Sequence, residues 1–543
     1  MTMRASSLSY FYAFPPWPNT DIYTDITLIA PNSAAPAIKE AMDTNPYFAK
    51  LPTPKPVLLA PEDLDDTMGT AEIFRLPEVR EVIKGDFIVL PCDLICELPG
   101  ESLIESWMIL QAGLGGATGG GNEFTGPKMA LGGEKSGRRG GLAVWYDTED
   151  NLIKDEETDF IVVARREGQD FSSLDPGARA PKTLLPNTYI NAQSMPTATL
   201  NDIIEAKGCV PLRHALLDKH GKVRLLTRKR DAHIYILPAW VLDMINKNAK
   251  MESVAEDVIG FWAKATWQRG LGEKLHLDEI FNAADPAARD ENLLGNAPSD
   301  EIDISTLSST MTSKLKVDDK DPKPKKKPKR TAESSDEEED EKPKERLLVP
   351  PILAYLHPKS DDLTKPSPLI RRVDTATALL AVSLQLAKLE AIDTAGDSAS
   401  TFAHPSKVAY QSGIASKTTI TRQDCLLAEN VTVEEKVSIK ESVIGANCTI
   451  REGAKLMKCV LMDSVTVGKG SRLTGCVLGK RSVIGEKCDL TECEIQENLV
   501  VENGTEDKNN KLMSSEGMEA TEEELQEFVD EEGGDEELDL GLA

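Results

Sequence analysis

The sequence predicts an α/β domain followed by a parallel β-helix, on three observations. Between Leu427 and Val501 aliphatic residues recur in steps of six, six and five. Between Asp25 and Leu94 apolar, strand-like runs alternate with helical stretches. From 285 to 345 charged and polar residues replace apolar ones, as expected of a disordered insertion that interrupts the first domain.

The repeat runs through Leu427, Val433, Ile439, Ile444, Ile450, Leu456, Leu461, Val467, Leu473, Leu478, Ile484, Leu490, Ile495 and Val501. A step of six fits neither the period of 2 of a strand face nor the 3.6 of a helix. It is the spacing of a β-helix, where three short strands form three walls and one aliphatic residue of each points inward. Leu427, Ile444, Leu461, Leu478 and Ile495 share one column, each 17 residues after the last. Cys425, Ser442, Cys459, Cys476 and Cys493 form a second. Gly445, Gly453, Gly468, Gly470, Gly479 and Gly485 fall between inward positions and are expected to turn corners, since glycine tolerates positive φ. Coils pair their backbones with neighbours, so the array is stable only as a stack. No histidine lies between Cys425 and Val501. An assembly platform is therefore expected rather than a catalytic one.

The formal charge is −28, from 62 basic and 90 acidic residues, so a general affinity for nucleic-acid backbones is not expected and DNA is not a predicted partner. Nine cysteines without a CxxC pair argue against a disulfide scaffold and a zinc knuckle. Six of them, Cys425, Cys448, Cys459, Cys476, Cys488 and Cys493, are small apolar fillers of the repeat. Cys92 and Cys96 flank Asp93 without a histidine, so no metal site is predicted there. The opening Met1–Ser6 lacks the apolar core of a signal peptide. The longest apolar run, Ala376–Leu389, is interrupted by Ser383, Gln385 and Lys388 and predicts an amphipathic helix rather than a membrane span. A cytosolic protein away from membranes is expected.

In chain order, 1–24 is an atypical N-terminus, aromatic and proline-containing, without periodicity. The α/β domain, 25–284, opens with strand Asp25–Ala30, helix Ala35–Met42, strand Val57–Ala60, a glycine turn opening a helix at Gly69–Leu76, and an apolar strand Asp86–Leu90 of buried type that closes on Asp93. That rhythm belongs to doubly wound α/β domains, whose ligands bind beyond the carboxyl ends of the strands, which puts Asp93 on a pocket rim. Leu103–Leu110 is expected to be helical. Gly113–Gly141 is expected to be a surface insertion, because Gly132-Gly-Glu-Lys-Ser136 only approaches a phosphate loop. Further strands are predicted at Gly140–Tyr146, Asp159–Val163, Val223–Leu226 and Ala232–Leu237, with His233 a buried or edge histidine rather than a base. Ser253, with Glu256 three residues on, caps a helix running to Phe261. The insertion, 285–345, holds a basic block, Lys323–Arg330, and an acidic one, Ser334–Asp340, in which Ser334 and Ser335 are candidate sites for an acidophilic kinase. The α/β domain ends over 346–395, with strand Leu347–Leu356 and a linking helix Arg371–Ala391. The β-helix follows over 410–503, and 504–543 is an acidic segment with one aromatic, Phe528.

Several of these stretches together resemble the sugar-nucleotide pyrophosphorylases and their relatives. They are Asp25-Ile-Thr-Leu-Ile-Ala-Pro31, Gly69-Thr-Ala-Glu-Ile73, Asp86-Phe-Ile-Val-Leu-Pro-Cys-Asp-Leu94, Asp231-Ala-His-Ile-Tyr-Ile236, Ser442-Val-Ile-Gly-Ala-Asn-Cys448 and Cys459-Val-Leu-Met-Asp-Ser-Val-Thr-Val467. Within that group the chain is similar to the gamma-subunit family of eukaryotic translation initiation factor 2B. The resemblance implies a nucleotidyltransferase-like first domain, Rossmann-like with a mixed sheet, and a left-handed β-helix. It also implies a regulatory and structural subunit of the guanine-nucleotide exchange complex that returns GDP-bound initiation factor 2 to its GTP form. Its implied partners are the catalytic epsilon subunit, the alpha, beta and delta subunits, and initiation factor 2 as client. The epsilon family carries a catalytic helical domain after the β-helix, where this chain has an acidic segment.

The pyrophosphorylases begin with a strand and a glycine-rich phosphate loop, and nothing from Met1 to Thr24 matches it. An incorrect gene start is the preferred explanation, and nucleotidyl transfer is not expected of the chain as written. The resemblance leaves a vestigial nucleotide pocket at Gly69, Thr70 and Asp93, where Asp93 could hold a magnesium ion or a ribose hydroxyl and GTP would be the nucleotide. No catalytic residue, resident metal or other cofactor is expected. The alternative is a working sugar-1-phosphate nucleotidyltransferase of GDP-mannose or ADP-glucose pyrophosphorylase type, which would align two phosphates with magnesium and basic groups for in-line transfer. An acyltransferase built on the β-helix would need a histidine on a coil.

Overall fold

The computed structural model describes residues 26–44, 56–65, 67–110, 139–148, 153, 156–165, 185, 187–210, 212–283, 349–358, 368–396, 400 and 402–513. The atypical start, nearly all of the glycine-rich stretch, the charged insertion with Ser334 and Ser335, and most of the acidic segment lie outside the described residues.

The chain begins with a β-α-β unit: β1 (Thr27–Ile29), α1 (Ala35–Thr44) and β2 (Val57–Leu59). The two strands pair in parallel, with Thr27 opposite Val57. Two short helices follow, α2 (Thr70–Ile73) and α3 (Pro77–Val82), then β3 (Phe87–Val89), β4 (Leu94–Cys96) and α4 (Gly100–Leu110). Here the structure departs from a doubly wound rhythm. The β1–β2 pair is a sheet of its own, and β3 joins a different, six-stranded sheet as a half-buried edge strand.

That sheet adds β5 (Gly141–Asp147), β6 (Asp159–Ala164), β7 (Thr188–Pro196), β8 (Val223–Leu237) and β9 (Ile352–Leu356) in the order β3-β8-β5-β9-β7-β6. Only β5 and β9 run parallel; the other pairs are antiparallel, which makes the sheet mixed. The two strands expected at Val223–Leu226 and Ala232–Leu237 are one long β8, whose start pairs with β6 and whose end pairs with β5 and β3. Both faces of the sheet are covered, and alternation along β5 shows it. Ala143 and Trp145 enter one core with Tyr235 and Leu237, while Leu142, Val144 and Tyr146 enter another with Ile234 and Ile236.

On the first face lie α7 (Trp240–Lys247), a π-helical turn Val254–Ile259, α8 (Gly260–Ala265), α9 (Leu271–Lys274) and α10 (Leu277–Ala283), whereas α5 (Thr197–Lys207) and α6 (His214–His220), which precede them in the chain, pack through Leu200 and Leu216 in a separate core with Phe160 and Val162 of β6. The Ser253 hydroxyl accepts from Glu256 N at 3.4 Å, so the expected cap is there, and the helix it opens begins as the π turn. Trp240 packs edge-on against Trp262, centroids 4.8 Å apart, and against Phe281 at 5.2 Å. The Trp262 indole donates to Pro350 O at 2.8 Å, which fixes the chain as it re-enters the sheet at β9.

The linking helix is shorter than the sequence suggested. Ile370–Arg372 is a strand, β10, antiparallel to β4, and α11 occupies only Ala376–Lys388. Thr375 stops the helix from starting earlier, since its hydroxyl accepts from Ala378 N. A short α12 (Ile392–Ala395) then leads to the solenoid.

The solenoid is the expected left-handed parallel β-helix of about six coils, from β11 (Thr419–Ile420) to β27 (Lys511–Leu512). Its three walls are parallel sheets in a 17-residue register, for instance Val443 opposite Val460 and Thr449 opposite Thr466. Every aliphatic of the repeat is buried, as are all six of its cysteines. The corners do not follow the glycine expectation uniformly. Gly470 has φ +71, but Gly468 is required for another reason: a Cβ there would lie 2.2 Å from Gly485 O of the next coil. Many positive-φ corners are held by other residues, among them Asn447, Lys458 and Lys487.

One wall carries a second apolar column. Leu426, Val460 and Val477 precede inward residues and so point outward, yet each is at most 7 % exposed. Helix α11 lies against β15 (Val443–Ile444) and β18 (Val460–Leu461) on this wall. Val382 and Leu386 of the same helix pack on Ile95 of β4. The helix therefore ties the sheet domain to the solenoid through apolar contact on two sides. Among the described residues no helix is long and apolar enough to cross a membrane.

Candidate functional site

Gly69 and Thr70 sit at the start of α2, and what they touch is protein. A Cβ on Gly69 would lie 2.3 Å from Glu252 O, so only glycine allows the backbone to approach this closely. Gly69 N donates to Glu72 Oε2 at 3.0 Å, Ala71 N donates to Glu252 O at 2.8 Å, and the Thr70 hydroxyl accepts from Val254 N at 3.0 Å. Arg75 extends the clamp by donating to Ile245 O, Asn248 O and Met251 O. The Gly-Thr-Ala-Glu stretch thus fastens α2 to the turn after α7.

Asp93 lies elsewhere, in the turn between β3 and β4. Its Oδ2 accepts from Arg372 Nε at 3.2 Å and Nη2 at 3.0 Å, and Arg372 Nη1 stands 3.3 Å from His233 Nε2. None of the hydrogen bonds of Gly69 or Thr70 reaches Asp93 or its partners. Asp93 Oδ1 is buried and without a hydrogen-bond partner. Among the described residues no group of three ligating side chains could hold a metal ion. Arg372 already supplies the cation beside this carboxylate, so the residues present do not fit magnesium.

Arg372 opens onto a larger network that sequence reasoning missed. Arg230 lies 2.5 Å from Asp374 and 3.2 Å from Glu156, and the Tyr146 hydroxyl donates to Glu156 Oε1 at 2.9 Å. Beside them two carboxylates meet: Asp159 Oδ2 accepts from Asp231 N at 2.6 Å, while Asp231 accepts from His233 N at 2.8 Å and from the Tyr235 hydroxyl at 2.7 Å. The β5–β8 register shifts between Ala143 and Trp145, opposite this point, and His233 has φ +52, so an irregularity in the strand aims the histidine at Arg372. The signals in the sequence were the charged runs Lys229-Arg-Asp231 and Arg371-Arg-Val-Asp374, both next to apolar strand residues.

Burial sets the protonation of this cluster. Desolvation, reinforced by the charge of Asp159, pushes Asp231 from 3.8 up to about 8, and burial lifts Asp159 to about 6. His233 is lowered to about 4, first by burial and then by Arg372. A carboxyl whose folded value is raised binds its proton more tightly in the folded state. Its contribution to stability therefore falls as pH rises from about 4 to about 8. His233 has the opposite slope between 6.5 and about 4. Asp231→Asn is expected to flatten the decline between pH 6.5 and 8 and to be more stable than the parent at pH 8, read as urea midpoints across that range. Parallel curves for the two proteins would show that Asp231 is ionised throughout.

A family profile described as "GMPPB C-terminal domain" matches residues 414–515, which is the solenoid. The translation initiation factor eIF2B subunit gamma of Schizosaccharomyces pombe is 30 % identical over 95 residues, covering 18 % of this chain and 20 % of that protein. The chain thus matches about a fifth of the length of this curated relative. Two solved structures of perosamine N-acetyltransferase from Caulobacter crescentus, both with CoA and GDP-perosamine, are similar at 23 % and 22 % identity. They cover 20 % and 19 % of this chain and 49 % and 46 % of theirs, with TM-scores of 0.15 and 0.13. The resemblance to the gamma-subunit family read from the residues is met again in the sequence comparison with the yeast protein.

Proposed function

We propose that this chain is a non-catalytic, structural subunit in translation initiation, of the gamma type, within the exchange complex that recycles initiation factor 2. The similarity to the yeast gamma subunit carries the proposal. The site geometry supports the non-catalytic part. Arg372 neutralises Asp93, and the Glu252 carbonyl fills the space beside Gly69 that a phosphate cradle would need. In this reading the solenoid and the sheet domain hold the epsilon subunit and help present the complex, with the alpha, beta and delta subunits, to its client in the cytosol. Any GTP site at Gly69, Thr70 and Asp93 is a relic, and GTP affinity should be weak or absent and unchanged by Asp93→Ala.

The alternative, a sugar-1-phosphate nucleotidyltransferase, is favoured by one observation, the family profile matched by the solenoid. Affinity purification from native cytosol in moderate salt, with mass spectrometry of stoichiometric partners, separates the two. Recovery of a larger homologue with a helical extension, together with other initiation-factor subunits, is expected. Recovery of the chain alone, with pyrophosphate released from GTP or ATP and a sugar phosphate, would overturn the structural reading.

A further inference from the structure

One edge of the sheet domain combines exposed aliphatic residues with three cations, Arg213, Lys222 and Lys264, that have no carboxylate partner among the described residues. Val210, Leu212, Leu217, Leu225 and Phe261 are each between 36 % and 46 % exposed. They come from the approach to α6, from α6 itself, from the start of β8 and from α8. The packing brings these elements together. Leu216 of α6 shares a core with Trp267 just after α8, and Val223 of β8 packs on the same core. Leu225 lies two residues on from Val223 and so on the same side of the sheet as α6. Lys219 donates to Thr266 O, joining the end of α6 to the end of α8.

Charge on this edge runs against that of the molecule. From Leu212 to Arg230 the sequence has one carboxylate, Asp218, and it is occupied by His214 at 2.9 Å. Among the described residues no carboxylate pairs with Arg213, Lys222 or Lys264. Lys264 stands 5.6 Å from the Phe261 ring, and its amine is held below its usual value first by burial and then by the nearby charge of Arg213. Two cations brought together beside exposed leucines, without a counter-ion, favour an anionic and apolar partner.

We propose that this face binds the acidic segment Glu522–Glu532 of the same chain. The segment carries carboxylates at Glu522, Glu523, Glu524, Glu527, Asp530, Glu531 and Glu532, and its apolar residues Leu525, Phe528 and Val529 have the spacing of one helical face. Both halves of the surface are thus complemented: leucines by Leu525, Phe528 and Val529, cations by the glutamates. Tethering raises the effective concentration to about the millimolar range, so modest contacts suffice. A nucleic-acid backbone would satisfy the cations but leave the aliphatic residues uncovered.

The test uses the full chain and a fluorescent peptide spanning 519–533, with binding followed by anisotropy at low and moderate salt. The acceptor is the full chain carrying Leu525→Ser and Phe528→Ser, which vacates the face without shortening the protein. The peptide should bind this acceptor at least about tenfold more tightly than it binds the unaltered chain, whose own segment competes. Binding should fall by about tenfold or more on adding Arg213→Glu and Lys222→Glu, two exposed positions whose replacement leaves the core untouched. Hydrogen exchange over 212–226 should be slower in the unaltered chain than in the acceptor. Equal peptide binding to both chains would show that the face takes acidic peptides from elsewhere and would overturn the intramolecular assignment. Absence of binding, or displacement of the peptide by a short single-stranded RNA with higher affinity, would overturn the surface itself.

Discussion

Gly468→Val is expected to unfold the lower coils of the solenoid, at a cost of about 4 kcal/mol or more. Its Cβ would lie 2.2 Å from Gly485 O, 2.4 Å from Gly485 C and 2.7 Å from Glu486 N, all backbone of the coil below. Backbone in a stacked ladder cannot step aside as a side chain can, because Gly468 N is itself bonded to Ile484 O at 2.9 Å. The clash must open the ladder, and in a quasi-linear array everything beyond loses its neighbour. Gly470 provides the control. It has φ +71, but a methyl group at that position would meet no atom closer than 3.9 Å, so Gly470→Ala should cost only the left-handed penalty of about 1–2 kcal/mol. Urea unfolding compares the two, and hydrogen exchange should place the Gly468→Val loss at and beyond β22 (Val483–Ile484). Similar losses at both positions would mean that corner conformation, not close approach, is what glycine provides.

The contrast between these glycines shows what the sequence could and could not reveal. Inward positions were legible because each coil repeats the same environment: Ile444, Leu461 and Leu478 are all buried to 1 % exposure or less. Corner chemistry was not, since a corner can be made by Lys458 or Asn447 at positive φ as well as by glycine. The outward column Leu426, Val443, Val460, Val477 repeats every 17 residues and was visible as aliphatic doublets, but an outward aliphatic column does not say which element covers it. In the sheet domain the region 188–220 went unread because its strand β7 buries Asn191 and Ser194, which bond to each other at 3.2 Å and break the apolar alternation. The charged network was hidden for a different reason. Its members come from strands β5, β6, β8 and β10 and from three connections, which hold Asp93, Glu156 and Asp374, and burial of an ion pair depends on partners brought together only by the fold.

Arg230→Met tests that network where it is driest, and a loss of about 3–5 kcal/mol is expected. The side chains of Arg230 and Glu156 are 6 % and 4 % exposed, so removing the guanidinium leaves a carboxylate in a poorly solvated place with only the Tyr146 hydroxyl for company. Most of that loss is the cost of the abandoned charge rather than the worth of the pair. Adding Glu156→Gln, which removes the charge and keeps the acceptor for Tyr146, should therefore recover more than half of it. A double variant no more stable than Arg230→Met would mean that the guanidinium acts through Asp374 instead. That second partner has a consequence for the solenoid. Asp374 precedes Thr375, the cap of α11, and α11 is what covers the wall at Val443 and Val460. If the network positions this helix, exchange over 376–388 should quicken in Arg230→Met in step with the loss of stability. If it stays slow while the sheet loosens, the hold on the solenoid rests on the apolar wall, and Leu426, Val460 and Val477 set the angle at which the two parts meet.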